Sequence, residues 1–221
     1  MHIPQPLPLG RLSEPFDDPE WLYEIKHDGW RALAVIEQGV CRFFSRNRHR
    51  LSGFDDLGRA LVQEIKADHA ILDGELAVLD GDGRSLFSAM MTGGRHLARF
   101  FAFDAVSISG TDVRQQPLVE RKKRLQGILP NRSHNVLYVD HVTGTGKELF
   151  EWACAWDLEG IVAKRADSRY EFTGGRNLKG SPWQKIKNPA YLKKTDAKNC
   201  SSDHRSAAVA SRSVLSRQGA S

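Results

Sequence analysis

WLYEIKHDGWRALAVIEQGVCRFFS, residues 21–45, decides the fold class of this chain. Apolar residues alternate through 21–27, 31–37 and 40–45, which predicts three short strands, with Gly29 and Gly39 near the turns. Strands this close together predict an antiparallel start. Outward from them, Phe54, Leu57, Leu61 and Ile65 recur at helical spacing, with Asp55 and Asp56 in the first turn where the helix dipole favours acid. A helix over 54–66 follows. Further strands are predicted at 70–79 and 100–108, and a helix over 118–128 opens after Pro117 and is stopped by Pro130. A third helix over 147–157 carries Leu149, Phe150, Trp152, Ala153 and Trp156, and two strands, 159–164 and 183–188, close the pattern. Strands and helices in this mixed order, starting from hairpins, predict an α+β fold over a doubly wound parallel sheet. There is no internal repeat.

Composition sets the outer bounds. With 221 residues, 40% of them hydrophobic, the chain can bury a substantial core. It has no run of roughly 18 apolar residues that could span a bilayer, and its start, MHIPQPLPLG, is proline-broken where a signal peptide needs an unbroken apolar stretch. No membrane partner and a cytoplasmic location are the expectation. Cys41, Cys154 and Cys200 are far apart and without CxxC spacing, so neither a disulfide framework nor a zinc site is expected. The net charge of +5 is concentrated at one end. Residues 189–221 hold six basic and two acidic residues, leaving 26 basic against 25 acidic before them. A polyanion-binding surface on the body must therefore come from local clustering. Residues 192–221, rich in Ser, Ala, Arg and Lys, are expected to be largely disordered, with a weak helix through SAAVASRSVL.

Five short segments carry the chemistry: KHDGWR (26–31), SRN (45–47), DGE (73–75), EGIVAK (159–164) and WQKIK (183–187). Residues two apart on a strand project from one face. Glu24, Lys26 and Asp28 then share a face, Asp73 and Glu75 lie opposite Leu72, Leu76 and Val78, and Lys185 and Lys187 lie with Trp183. Charged residues set away from apolar ones would build a polar cleft over a core. A lysine acts as a covalent nucleophile only when its amine is neutral, and burial or neighbouring positive charge has to offset its ordinary pKa of about 10.4. Arg31, Lys185, Lys187 and a divalent metal could supply that charge. Glu75 and Glu159 are hard-oxygen ligands suited to magnesium, which takes one or two protein carboxylates with phosphate and water. Such a set suits transfer at phosphorus, where oxygen charge must be stabilised while nucleophile and leaving group stay in line. No GxxxxGK[ST] loop is present, which argues against a P-loop ATPase. Taken singly, KHDGWR reads as a hairpin turn, DGE as a surface carboxylate pair, and the run Arg46, Arg48, Arg50 as a solvated loop. Their joint order reverses that reading.

In that order the segments resemble the covalent nucleotidyltransferases, and among them the ATP-dependent DNA ligases, especially the ligase module of bacterial non-homologous end-joining proteins. The resemblance runs from about Leu7 to Asn188. It implies an antiparallel-sheet, ATP-grasp-like nucleotidyltransferase domain over residues 1–188, followed by a basic tail. KHDGWR fits the family's first motif, which implies that Lys26 attacks the α-phosphate of ATP to give lysyl-AMP with loss of pyrophosphate. By the same likeness Arg46 of SRN contacts ribose or the nicked-strand phosphate, and Glu75 of LDGEL has a metal or ribose role. Phe103 of FAFDAV stacks on adenine, and Glu159 of EGIVAK has a metal role beside Lys164 at the nucleotide. Lys185 and Lys187 of WQKIK serve the α-phosphate, Arg31 belongs to the nucleotide site, and Glu24 accepts a hydrogen bond from the adenine amino group. DGRSLFSAMM and QQPLVERKKRL favour a DNA ligase over a messenger-RNA capping enzyme or RNA ligase. The implied cofactors are ATP and Mg2+ or Mn2+. The implied partners are nicked or broken double-stranded DNA and end-joining proteins or a separate clamp domain, at the bacterial nucleoid.

Ligases of this type continue past the fifth motif into an OB-fold. Only 33 residues follow Asn188, without the strand pattern of a five-stranded barrel. The expectation is an isolated adenylation domain without that OB-fold, which binds nucleotide, adenylates slowly and seals nicks poorly without a clamp from elsewhere. The alternatives are a catalytically silent domain that binds nucleotide or DNA ends, and an RNA ligase-like enzyme.

Overall fold

A computed structural model of the protein describes residues 3–171 and 178–191. The tail expectations, the SAAVASRSVL helix and Cys200 lie outside the described residues. In chain order the elements are β1 (Gly10–Leu12), β2 (Trp21–Ile25), β3 (Trp30–Glu37), β4 (Val40–Ser45), β5 (Arg50–Leu51), α1 (Asp55–Glu64), β6 (Ala70–Ala77) and α2 (Phe87–Met91). They continue with β7 (Arg99–Ile108), β8 (Thr111–Asp112), α3 (Leu118–Ile128), β9 (Val136–Tyr138), β10 (Val142–Thr143), α4 (Gly146–Ala155), β11 (Gly160–Arg165) and β12 (Trp183–Lys187). Every strand and helix predicted from periodicity is present, with ends moved by one or two residues. The short β1, β5, β8, β9, β10 and α2 carry too few residues for a period to register.

The strands form two sheets, one in the order β1-β12-β11-β2-β10 and one in the order β5-β4-β3-β6-β7-β8, with β9 added beside β7. Pairing is antiparallel except for β1 with β12 and β9 with β7. The α+β class holds. The hairpin reading of β2 and β3 does not: β2 pairs with β11 and β10, whereas β3 pairs with β4 and β6 in the other sheet. Residues 26–29 are therefore a crossing between sheets. Alternation marks a strand and two faces, but its partner depends on which edge buries both faces, and that is nonlocal. Gly29 is required at the crossing, because a Cβ there would lie 2.2 Å from the Leu76 carbonyl oxygen.

The layers follow from side-chain alternation. One face of the larger sheet carries Ala32, Ala34, Ile36, Phe43, Leu72 and Phe100, which pack under Leu57 and Leu61 of α1. Its other face carries Leu33, Val35, Ile71 and Val106, which meet Leu22 and Trp183 of the smaller sheet. The smaller sheet turns Tyr23, Ile161, Ala163 and Ile186 outward onto Ala153 of α4. Glu24 of β2, Lys164 of β11 and Lys185 and Lys187 of β12 thereby fall on the opposite face, the one turned toward the other sheet. No helix among the described residues is long and apolar enough to cross a membrane.

Candidate functional site

Lys26 stands where the chain leaves β2 for the other sheet. Its backbone N–H still donates to the Gly160 carbonyl (3.0 Å), which holds it beside the start of β11. Its Nζ lies 2.6 Å from Glu159 Oε2, and Lys187 Nζ lies 2.8 Å from Glu159 Oε1, so one carboxylate joins two cations 161 residues apart in sequence. Glu159 is 4% exposed. Burial alone would raise its pKa, but Lys26 and Lys187 outweigh that and hold it below the usual carboxylate range. Gly160 has φ +132°, and a Cβ there would fall 2.1 Å from the Ile186 carbonyl oxygen, so only glycine brings Glu159 this close to β12. Asn188, which no motif had flagged, fixes this corner: its N–H donates to the Glu159 carbonyl and its Nδ2 to the Leu158 carbonyl.

A cleft opens from Lys26 between the sheets, lined by Glu24, Arg31, Glu75, Phe103, Lys164 and Trp183, among others. Arg31 makes a bidentate pair with Asp73 (3.1 and 2.7 Å), and its guanidinium lies over the rings of Phe103 (5.6 Å) and Trp183 (5.4 Å). Tyr170 Oη also donates to Asp73 (2.7 Å), so Asp73 braces Arg31 and is not a second free carboxylate beside Glu75. Enclosure pushes the Glu75 carboxyl up to about 8, with Lys26 and Arg31 offsetting only part of that effect and Glu159 and Asp73 adding to it. Burial also lowers Lys185, with Lys187 and Lys26 adding to the effect.

The inner wall is a charged triad. Glu24, 2% exposed, takes Lys122 Nζ on Oε1 (2.6 Å) and Lys164 Nζ on Oε2 (2.5 Å). Lys164 also sits 4.2 Å from the centroids of both Phe103 and Trp183. Burial, with Lys122 acting in the same direction, lowers Lys164 to about 8 against the pull of Glu24. The sequence reading placed Glu24 on a polar face with Lys26 and Asp28, but that face is turned into the protein.

Of the sequence-predicted residues, Glu24, Lys26, Arg31, Glu75, Phe103 and Lys164 line the cleft, and Glu159 and Lys187 close its end at Lys26. Lys185 stands near Lys26, Lys187 and Glu159 on β12 but does not line the cleft. Arg46 is outside it, exposed in the turn after β4, where its carbonyl accepts from Gln5. A larger hollow of about 330 Å³ lies beyond His27 and Phe101, lined by Tyr138, His141 and Trp152 among others. It is mainly apolar and gathers no set of cations, so the smaller cleft is the candidate for anionic chemistry. Lys122 was missed. The available signal was its helical spacing: Leu118, Arg121, Lys122 and Leu125 form one stripe of α3, and all four are buried.

Residues 11–187 match the family model described as the ATP dependent DNA ligase domain. The chain is 33% identical over 185 residues to the multifunctional non-homologous end joining protein LigD of Pseudomonas aeruginosa, covering 81% of this chain and 21% of that protein. It is 30% identical to the SPbeta prophage-derived DNA ligase-like protein LigB of Bacillus subtilis, covering 84% of this chain and 68% of that protein. Among solved structures, mycobacterial DNA ligase D complexed with ATP and MES superposes with a TM-score of 0.67 at 26% identity, over 82% of this chain and 60% of that one. The chain thus spans about a fifth of the length of the LigD proteins it matches.

Proposed function

The chain belongs to the ATP-dependent DNA ligase domain family, and from that premise we propose that it is an adenylating enzyme whose nucleophile is Lys26. Lys26 Nζ gives up a proton, for which Glu159 Oε2 at 2.6 Å is the nearest acceptor, and attacks the α-phosphorus of ATP. The bond from that phosphorus to the bridging oxygen breaks, pyrophosphate leaves, and lysyl-AMP remains. AMP then passes to a DNA 5′-phosphate, and an adjacent 3′-hydroxyl displaces it to seal the strand. The single observation that carries this reading is the convergence of Lys26, Glu159 and Lys187, from three separate sequence segments, at the mouth of a cleft walled by Arg31, Phe103 and Trp183.

Each wall has a role in this scheme. Lys187 and Lys185 neutralise charge on phosphate oxygens, Arg31 and Glu75 take the ribose side, and Phe103 offers an aromatic face to the base. Glu75 and Glu159 are the residues that would hold a divalent cation. The fit is good on one count: enclosure, with Glu159 and Asp73 adding to it, pushes the Glu75 carboxyl up to about 8, an electrostatic cost to its ionised form that a cation would relieve. Among the described residues no three His, Cys, Asp or Glu form a cation cage, so the remaining ligands would be phosphate and water, as magnesium prefers. When bound, magnesium or manganese supplies charge neutralisation at the phosphates. The acceptor in this reading is nicked or broken duplex DNA, with end-joining proteins as partners at the bacterial nucleoid. The end-joining names of the relatives support that choice. So do exposed Arg46, Arg48 and Arg50, which offer phosphate contacts outside the cleft.

Incubation with α-labelled ATP and magnesium is expected to label the wild-type protein with one AMP, and Lys26→Ala is expected to abolish it. Stoichiometric ATP binding without a covalent adduct would select a silent nucleotide-binding domain, and preferential sealing of nicked RNA would redirect the acceptor.

A further inference from the structure

We propose that Lys122 is a positioning residue that keeps Glu24 an acceptor-only group in the cleft wall and so sets preference for a 6-amino over a 6-oxo purine. The proposal rests on the adenylation reading above and adds a residue to it from a helix that contributes no nucleotide motif.

Lys122 lies on α3 and is 1% exposed. Its three donors have three acceptors: Glu24 Oε1 at 2.6 Å, the Val139 carbonyl at 3.0 Å and the Phe103 carbonyl at 3.3 Å. The ammonium also stands 4.6 Å from the Tyr138 ring. It therefore touches at once the wall acid, the backbone of the cleft aromatic and the strand edge beyond it. A flexible lysine on a solvated face would satisfy none of these conditions, and an apolar residue would pack the same stripe of α3 without desolvating a charge.

The consequence falls on Glu24. An ionised carboxylate has about four lone-pair sites and no donor. Lys122 takes one on Oε1, and Lys164 Nζ is ion-paired with Oε2 at 2.5 Å, which leaves capacity on both oxygens for a hydrogen-bond donor in the cleft. An exocyclic amine at purine position 6 supplies that donor, whereas an oxo group there sets oxygen against oxygen. Burial favours the protonated acid, and the two lysines outweigh it and keep Glu24 ionised. Without Lys122, burial has one cation fewer against it. A protonated Glu24 carries a donor and accepts a 6-oxo purine as readily as a 6-amino one. The other titratable groups around Glu24 are Tyr138 of β9, Asp140 and His141 beyond it, and His27 in the crossing after β2; burial holds both histidines near 4.

The test compares ATP with inosine triphosphate on the full chain, by equilibrium competition binding and by AMP or IMP labelling, in wild type, Lys122→Met, Lys122→Arg and Glu24→Gln/Lys122→Met. Loss of one charged hydrogen bond changes a preference by roughly tenfold or more. Lys122→Met is expected to lower the ATP-over-inosine-triphosphate ratio by about that factor and to move the acid limb of ATP binding to higher pH. Lys122→Arg should retain both properties. If Lys122→Met does not fold, the double variant, which removes Lys122 together with the Glu24 charge it pairs with and leaves Lys164 in place, keeps the question open to measurement; its ratio should be equally low. A folded Lys122→Met or double variant with the wild-type ratio and acid limb would overturn the proposal. Absence of labelling in wild type would instead count against the adenylation reading, while the binding ratios would still decide the role of Lys122.

Discussion

Arg121 is the strongest test of how the wall behind the cleft is held. It is fully buried with Asp104 in a bidentate pair (2.8 and 2.7 Å), and its Nη1 donates to the carbonyls of Gln116 and Ser168 at 2.7 Å each. One guanidinium thus joins α3, β7, the turn before α3 and the segment after β11. Arg121→Met removes the cation, leaves the buried Asp104 carboxylate with the Ala105 N–H (2.7 Å) in place of a bidentate cation, and takes the guanidinium donor from two carbonyls. Breaking a buried pair in this way costs about 3–5 kcal/mol, which for a chain of this size corresponds to a melting-temperature loss of roughly 6–20 °C. Asp104→Leu/Arg121→Met removes both charges and should recover more than half of that loss, because isosteric apolar replacement of a buried pair is often neutral. Burial already holds Asp104 above the ordinary carboxylate range against the pull of Arg121. In Arg121→Met it rises further. A raised folded-state pKa contributes stability at low pH that is lost as pH rises through it, so the deficit should be largest near pH 8 and shrink toward pH 5. Urea unfolding followed by tryptophan fluorescence at both pH values measures each quantity. A deficit below about 1 kcal/mol at pH 8 would refute the reasoning, given the penalty expected for an unpaired buried charge. So would a double variant no better than the single one, or a deficit that grows on acidification.

Two other outcomes follow from the ion pairs in the cleft. Glu159→Gln deprives Lys26 and Lys187 of their shared anion, and AMP labelling should fall on the order of 10²-fold, the size found when one preorganised electrostatic partner is removed; because both lysines can reach solvent, the melting temperature should change far less than in Arg121→Met. Lys164→Met removes a lysine that burial holds near 8. A depressed lysine pKa favours the fold above the unfolded value and is lost as pH falls through the folded one, so the wild type forgoes stability of roughly 3 kcal/mol at most at pH 7 relative to pH 10.5. Lys164→Met also takes one of its two cations from buried Glu24, so it should be less stable than wild type near pH 10, by a deficit that narrows as pH falls to 7, as read from the difference between their unfolding curves; a deficit that widened on acidification would contradict the burial argument.

Much of the cleft was legible in the sequence because its residues lie on strands, where one residue's direction sets those of its neighbours. A period of two gives Trp183, Lys185 and Lys187 one face, with Lys185 nonetheless outside the cleft lining, and places Glu75 away from Leu76. Arg46 is the counterexample. Its motif is as recognisable as the others, but it occupies a turn, where no period fixes direction, and the side chain is left exposed. Asp73 looked equivalent to Glu75 from alternation, and only Arg31 and Tyr170 closing on it make it a brace.

By itself the sequence determined the longer elements, their order and the five charged segments, because helix and strand periods and turn residues act over a few positions along the chain. The tertiary structure alone decided that β2 and β3 part into different sheets, that Glu24 is walled in by Lys122 and Lys164, and that one carboxylate, Glu159, serves both Lys26 and Lys187. Those outcomes depend on which distant groups share a low-dielectric space. Burial costs a charge too much to be left unpaired there, and the partner that meets the cost has no required place in the sequence.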